Sequence, residues 1–197
     1  RTSNPSGEAV RQVPYKGHSA PITAISTHPS PGAISFSCLF LTSSLDWTIR
    51  LWSTREQRPL QCFDDYFEYV YDVQWSPVHP ALFAAVDGSG HLDIWNLNQD
   101  VEVPVVRRLL GEQSGACASV VHPASIYGSV QAGSALNRCR WDVNGQFLAA
   151  GDRQGRVTVC SVHESLAIPG PEAWSSLAHT MAELKSFRSE AEARLSE

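Results

Sequence analysis

The stretch from Leu39 to Trp52, LFLTSSLDWTIRLW, constrains this chain more than any other part of it. Leu39 and Leu41 alternate with Phe40 and Thr42. Further on, Ile49 and Leu51 alternate with Thr48, Arg50 and Trp52. Alternation at period two, rich in β-branched and aromatic residues, specifies two strands joined by a tight turn. Asp46 stands at the turn, where a short carboxylate accepts bonds from nearby backbone N–H groups. Gly17-His18 precedes a third apolar strand, Ile22–Ser26. Together they make one antiparallel unit, and the chain repeats it.

The first unit spans residues 17–64. Its strands are Ile22–Ser26, Phe40–Ser43, Thr48–Ser53 and Leu60–Phe63, with a break at His28-Pro29-Ser30-Pro31-Gly32. The second, residues 65–112, reads Val70–Trp75, a break at Ser76-Pro77-Val78-His79-Pro80, Leu82–Val86, His91–Trp95 and Val103–Leu110. Its third strand again ends on Trp, and the two closing tryptophans lie about 43 residues apart. A third, degenerate unit at 134–170 reads Leu136–Trp141, Phe147–Ala150 and Arg156–Ser161, with Cys160 in the place of the Trp. The excess spacing before it falls at 113–133, a stretch rich in Gly, Ala and Ser that reads as an inserted surface loop. Residues 1–16 read as a linker, with Val10, Val13 and Tyr15 as an edge strand of a preceding unit. In the tail, 171–197, the period changes. Trp174, Leu177, Met181 and Leu184 are spaced three, four and three, with Ala191 and Leu195 as a continuation, and this marks an amphipathic helix.

Composition excludes several classes. The net charge is −5 with no basic block, so neither nucleic acid nor an anionic membrane surface is expected as a partner. No apolar run approaches the roughly 20 residues that span a bilayer. The five cysteines, Cys38, Cys62, Cys117, Cys139 and Cys160, form no C-x-x-C and read as reduced thiols of a cytosolic protein. The histidines His18, His28, His79, His91, His122, His163 and His179 show no ligand spacing such as H-E-x-x-H, and no phosphate loop or nucleophile elbow occurs. No catalytic residue, cofactor, metal or small-molecule substrate is therefore expected. The start at Arg1 suggests a fragment of something longer.

A period of 40–45 residues with four strands, Gly-His early and Trp closing the third strand resembles the WD40 family of β-propellers. The resemblance implies an all-β fold: about three four-stranded blades of a partial ring, with a C-terminal helix. It also implies a buried network in which the turn Asp bonds His, His bonds a hydroxyl, and the hydroxyl bonds the Trp indole. In the first unit those residues are His18, Asp46 and Trp52, with Thr42 or Ser44 as the hydroxyl, since the two share a face. In the later units Ser89 and Gln154 occupy the turn-Asp register and no Gly-His is present, so packing is expected to hold those blades, with Trp75 and Trp95 as large apolar pieces. Three blades do not close a ring, which leaves one raw blade face at each end.

Longer stretches carry a narrower resemblance. GHSAPITAISTHP at 17–29, FLTSSLDWTIRLWST at 40–54, YVYDVQWSPVHPALFA at 69–84, LDIWNLN at 92–98, ALNRCRW at 135–141 and Glu172-Ala173-Trp174 are similar to the late blades and tail of cytoplasmic dynein intermediate chains. The resemblance implies a non-catalytic scaffold that docks on the dynein heavy chain, supports minus-end transport on microtubules and hydrolyses no ATP. Light chains and dynactin would be bound through an N-terminal region not represented here. An axonemal intermediate chain and a WD40 adaptor of another assembly are the alternative readings. Candidate partner contacts are Leu45 and Trp47 at the first turn, Tyr66, Phe67 and Tyr69 at the start of the second unit, and the helix stripe Trp174, Leu177, Met181 and Leu184. Trp47 either folds onto a neighbouring blade or faces a partner. The stripe either packs on its own propeller or enters another subunit.

Overall fold

The computed structural model describes residues 13–29, 32–110 and 133–195. Among these, the first sheet holds β1 (Ile22–Thr27), β2 (Leu39–Ser44), β3 (Ile49–Ser53) and β4 (Gln61–Phe63), bonded antiparallel in that order. The second repeats the order with β5 (Val70–Trp75), β6 (Leu82–Asp87), β7 (His91–Asn96) and β8 (Val106–Leu109). The third holds β9 (Leu136–Trp141), β10 (Phe147–Asp152) and β11 (Val157–Ser161). Register repeats with topology: Phe40 faces Trp52, Phe83 faces Trp95, and Leu148 faces Cys160.

The sheets meet along their first strands, with β1 packed on β5 and β5 on β9, so they fan out as sectors of a partial propeller. The middle sector shows why. Every residue of β6 is buried. Phe83 and Ala85 face a core shared with the first sheet, while Leu82, Ala84 and Val86 face a core shared with the third. A strand covered on both faces has no need of polar alternation, which explains its continuous apolar run. At the two ends the pattern reverses. Ile25 on β1 and Phe147, Val157 and Val159 on the third sheet are exposed.

Two expectations need correction. The third sheet has three strands rather than four among the described residues. After Ser161 the chain leaves the sheet through a short helix, α1 (Glu164–Ala167), which His163 caps by accepting from the Ser165 N–H. Pro169 and Pro171 then supply no donors for a ladder. Residues 13–16 form no strand either. Tyr15 instead sets its ring edge-on to Phe40 and Trp52, with centroids 5.2 and 5.7 Å away. Val10, residues 113–132 of the inserted loop, and the side chains of Ala191 and Leu195 lie outside the description.

The long helix α2 (Ala173–Leu195) lies across the turns at one end of the first two sheets, touching Gly32, Glu56, Pro59 and Asn98. Leu177, Met181 and Leu184 are buried in the core those sheets share. Burial of this kind contributes about 1.5–3 kcal/mol per side chain. The Trp174 indole lies directly over Gly32, where any Cβ would overlap the ring. Asn98 donates to the Ala173 carbonyl at 2.9 Å, and Arg188 forms an ion pair with Glu56 beside the Pro59 carbonyl.

Candidate interaction surface

The first sheet is pinned by one connected chain of hydrogen bonds. The Trp52 indole N–H donates to the Thr42 hydroxyl at 2.8 Å, and that hydroxyl lies 2.7 Å from His18 Nε2. His18 Nδ1 lies 2.8 Å from the Asp46 carboxylate, which also accepts from the Ser19 N–H and from the N–H and hydroxyl of Thr48. Burial lowers the pKa of the His18 ring despite the opposing pull of Asp46. A neutral ring with its proton on Nδ1 donates to Asp46 and accepts from Thr42, so every member of the chain is satisfied. Burial pushes the Asp46 carboxyl up, but the Thr48 hydroxyl, the Ser19 N–H and His18 together bring it down to about 2. Ser44 serves elsewhere: its hydroxyl donates to the Ala20 carbonyl and accepts from the Asp46 N–H. Asp46, His18 and Thr42 are aligned as in a hydrolytic triad, yet Thr42 is only 5% exposed and lies under the Trp52 indole.

The second sheet has a different polar lock, which the sequence reading did not anticipate. The Trp95 N–H donates to the Tyr66 hydroxyl at 2.9 Å. Both rings are buried, and burial pushes the Tyr66 phenol well above its usual range. Arg107 on β8 donates through Nε and Nη2 to Asp93, directly across from it on β7, at 2.8–3.2 Å. Its guanidinium also donates to the Asp65 carbonyl at 2.8 Å, pairs with the Asp65 carboxylate and sits 5.7 Å from the Tyr66 centroid. Burial raises the Asp93 carboxyl, and the bidentate Arg107 opposes that rise. Tyr66 is therefore a core residue rather than a contact for a partner. The signals in the sequence were an Asp two positions before the closing Trp and an Arg in the strand paired with it.

The turn carboxylate is also retained, two positions upstream of the expected register. Asp87 accepts from the N–H groups of Ser89 and His91, and Asp152 from those of Gln154 and Arg156. Both occupy the register of Ser44. The later blades are thus held by polar networks as well as by packing. The stripe of α2 is likewise spent within the chain. Leu177, Met181 and Leu184 are buried and Trp174 is half-buried over Gly32, so these four are not free for a partner.

The remaining candidates gather at the opposite end of the sheets. Ile49 pairs with Phe63, which places residues 64–69 beside the β2–β3 turn that carries Leu45 and Trp47. The Gly88 N–H donates to the Tyr69 carbonyl, which brings the β6–β7 turn to the same place. Trp47 is 46% exposed, Phe67 80% and Tyr69 43%, while Leu45 is half-buried. Trp47 holds φ at +65°, the left-handed region that disfavours a bulky residue, yet the turn keeps the ring outward. Aromatic rings clustered on a rigid rim are the usual anchors of protein interfaces.

Among the described residues no group of three or more His, Cys, Asp or Glu side chains is placed to hold a metal. No helix there is long and apolar enough to cross a membrane.

Comparison with known proteins adds to this geometry. A family model, WD40 (WD domain, G-beta repeat), matches residues 8–53. The chain is 47% identical over 176 residues to the cytoplasmic dynein 1 intermediate chain of Drosophila melanogaster, covering 89% of this chain and 24% of that protein. It therefore spans about a quarter of that relative's length. The crystal structure of the WD40 domain from Toxoplasma gondii coronin matches with a TM-score of 0.56 at 15% identity, over 75% of this chain and 32% of the other. A chain of the mitotic checkpoint complex matches with a TM-score of 0.56 at 15% identity, over 77% of this chain and 39% of the other. At that identity the two structures speak for the fold alone.

Proposed function

We propose that this chain, 47% identical over 89% of its length to a cytoplasmic dynein 1 intermediate chain and matched by a WD40 family model, is a non-catalytic scaffold segment of a cytoplasmic dynein complex. In this reading its partner is the dynein heavy-chain tail, its setting is the microtubule cytoskeleton of the cytoplasm, and its role is to support minus-end-directed transport. The observation that carries the reading is the 47% identity maintained across 89% of the chain. An alignment of that extent runs through loops and strands alike, well beyond a shared Trp-Asp repeat.

The mechanism is presentation by a rigid body. The sheets hold their turns in fixed relative positions, and α2 covers the turns at one end of the first two sheets. The opposite end presents Leu45, Trp47, Phe67 and Tyr69 as the heavy-chain contact. A partly exposed aromatic ring on a preorganised turn contributes apolar burial with little further loss of entropy.

The experiment is a pull-down of purified heavy-chain tails, one cytoplasmic and one axonemal, on the immobilised chain. Selective capture of the cytoplasmic tail, lost on Trp47→Gly with Phe67→Ala, supports the reading. Equal capture of both tails, or of neither, refutes it.

A further inference from the structure

A groove runs between the β7–β8 turn and α2, away from the aromatic rim, with a volume of about 520 Å3. Its floor is apolar, with Leu97 and Leu184 belonging to the buried core. Phe187 stands on its wall and keeps 66% of its surface exposed. Among the described side chains the stripe that seats α2 ends at Leu184, and Phe187 takes no part in the core. The rim is acidic. Asp100, Glu102 and Glu183 line it, and among the described residues no Lys or Arg does. The nearby cations of α2, Lys185 and Arg188, turn the other way and pair with Glu56. Asp100 spends one oxygen on the N–H groups of Glu102 and Val103, and Glu183 lies beside the exposed His179.

We propose that this groove receives the apolar face of a cationic amphipathic helix from a partner protein. The backbone of α2 is bonded internally, so its wall of the groove recognises a partner through side chains, as in helix-in-groove binding. Thr180, Glu183 and Phe187 fall on one face at three- and four-residue spacing, above the buried Leu184. They span about 10 Å of helix axis, enough to meet two or three anchors of an incoming helix at i, i+3 or i+4, and i+7. Carboxylates along the rim pair with Lys or Arg flanking those anchors and repel an acidic helix of the same shape, so the charge sets the choice of partner. The inference is independent of the dynein reading, because it uses a different end of the sheets and does not name the heavy chain.

The test uses two labelled peptides of about 18 residues, long enough to form a helix on binding. Each has a Leu face. One carries Lys on the other face, and the second carries Glu. Fluorescence anisotropy follows their titration with the 197-residue chain. The Lys peptide binds and the Glu peptide does not. Phe187→Ala weakens binding about tenfold, the effect of losing one buried aromatic contact. Glu102→Lys combined with Glu183→Lys abolishes the preference for the Lys peptide. All three substituted side chains are exposed, so melting temperatures stay near that of the parent. Failure of the Lys peptide to bind, equal binding of both peptides, or full affinity in Phe187→Ala overturns the proposal.

Discussion

Replacing Thr42 by Val tests the central lock of the first sheet. Valine keeps the β-branch and nearly the volume of threonine, so the change removes a hydroxyl and little else. The parent hydroxyl accepts from the Trp52 indole at 2.8 Å and lies 2.7 Å from His18 Nε2. Both partners are enclosed, with the His18 side chain 5% exposed and Trp52 buried. Without the hydroxyl, a buried N–H and a buried ring nitrogen each lose their partner. An orphaned buried group costs about 1–3 kcal/mol, and the two share one site, so a loss of about 2–4 kcal/mol is expected. Urea unfolding followed by far-ultraviolet circular dichroism measures it, with an unchanged m-value as the check that only stability moved. Trp52→Phe removes the orphaned donor. In that background Thr42→Val should cost at least about 1 kcal/mol less, which a double-mutant cycle resolves. Ser44→Ala is the internal comparison and should cost about 1 kcal/mol, because Ser44 bonds only backbone groups at the edge of the network. A loss under about 0.5 kcal/mol for Thr42→Val, or a larger loss for Ser44→Ala, would show that the network carries no weight in the fold.

Three further outcomes follow from the structure. Tyr66→Phe leaves the Trp95 N–H unpaired within the core and should lower stability by about 1–3 kcal/mol in the same urea assay. Burial brings His79 down to about 4 and lowers His18 and His28 in the same direction, so acid favours proton uptake by the unfolded chain. Stability should therefore fall as pH drops from the unfolded value of about 6.5 toward 4, by about 1–2 kcal/mol between pH 7 and 5 for His79 alone. His91, raised by its bond to Asp87, acts the other way: its contribution is complete below the unfolded value and is lost as pH rises through the folded one. Melting temperatures across this range check the sign. Trp47→Gly relieves a left-handed backbone that glycine adopts freely, so stability should hold or rise by up to about 1 kcal/mol, and a fall in melting temperature would show that the ring packs within the chain.

Period-two alternation was enough to locate the strands, because a half-buried strand must show its core face at every second residue. It could not choose between Thr42 and Ser44, which share a face. The choice is made by register. Trp52 pairs with Phe40, so its long indole reaches the diagonal neighbour Thr42, while Ser44 lies one pair further away. The displaced carboxylates Asp87 and Asp152 escaped notice for a related reason. A turn's N–H groups can be served from more than one position, and spacing fixes only one of them. Tyr66 could not be placed because the link that carries it has no periodicity, and the direction of its ring is decided by Trp95 and Arg107. The helix stripe was legible as a stripe, but only the packed sheets show that its cover is internal.

The position of α2 has a mechanical consequence. Its bonds and buried side chains go to the first two sheets, fastening their turns at Glu56, Pro59 and Asn98 while β1 and β5 hold them near the axis. Those two sectors are braced from both sides and resist bending relative to each other. The third sector leans on the second through β5 and β9 and their shared core, with no comparable strap among the described residues. Under a pulling load the seam between the second and third sectors yields first, and the braced pair transmits the force as a single stiff piece.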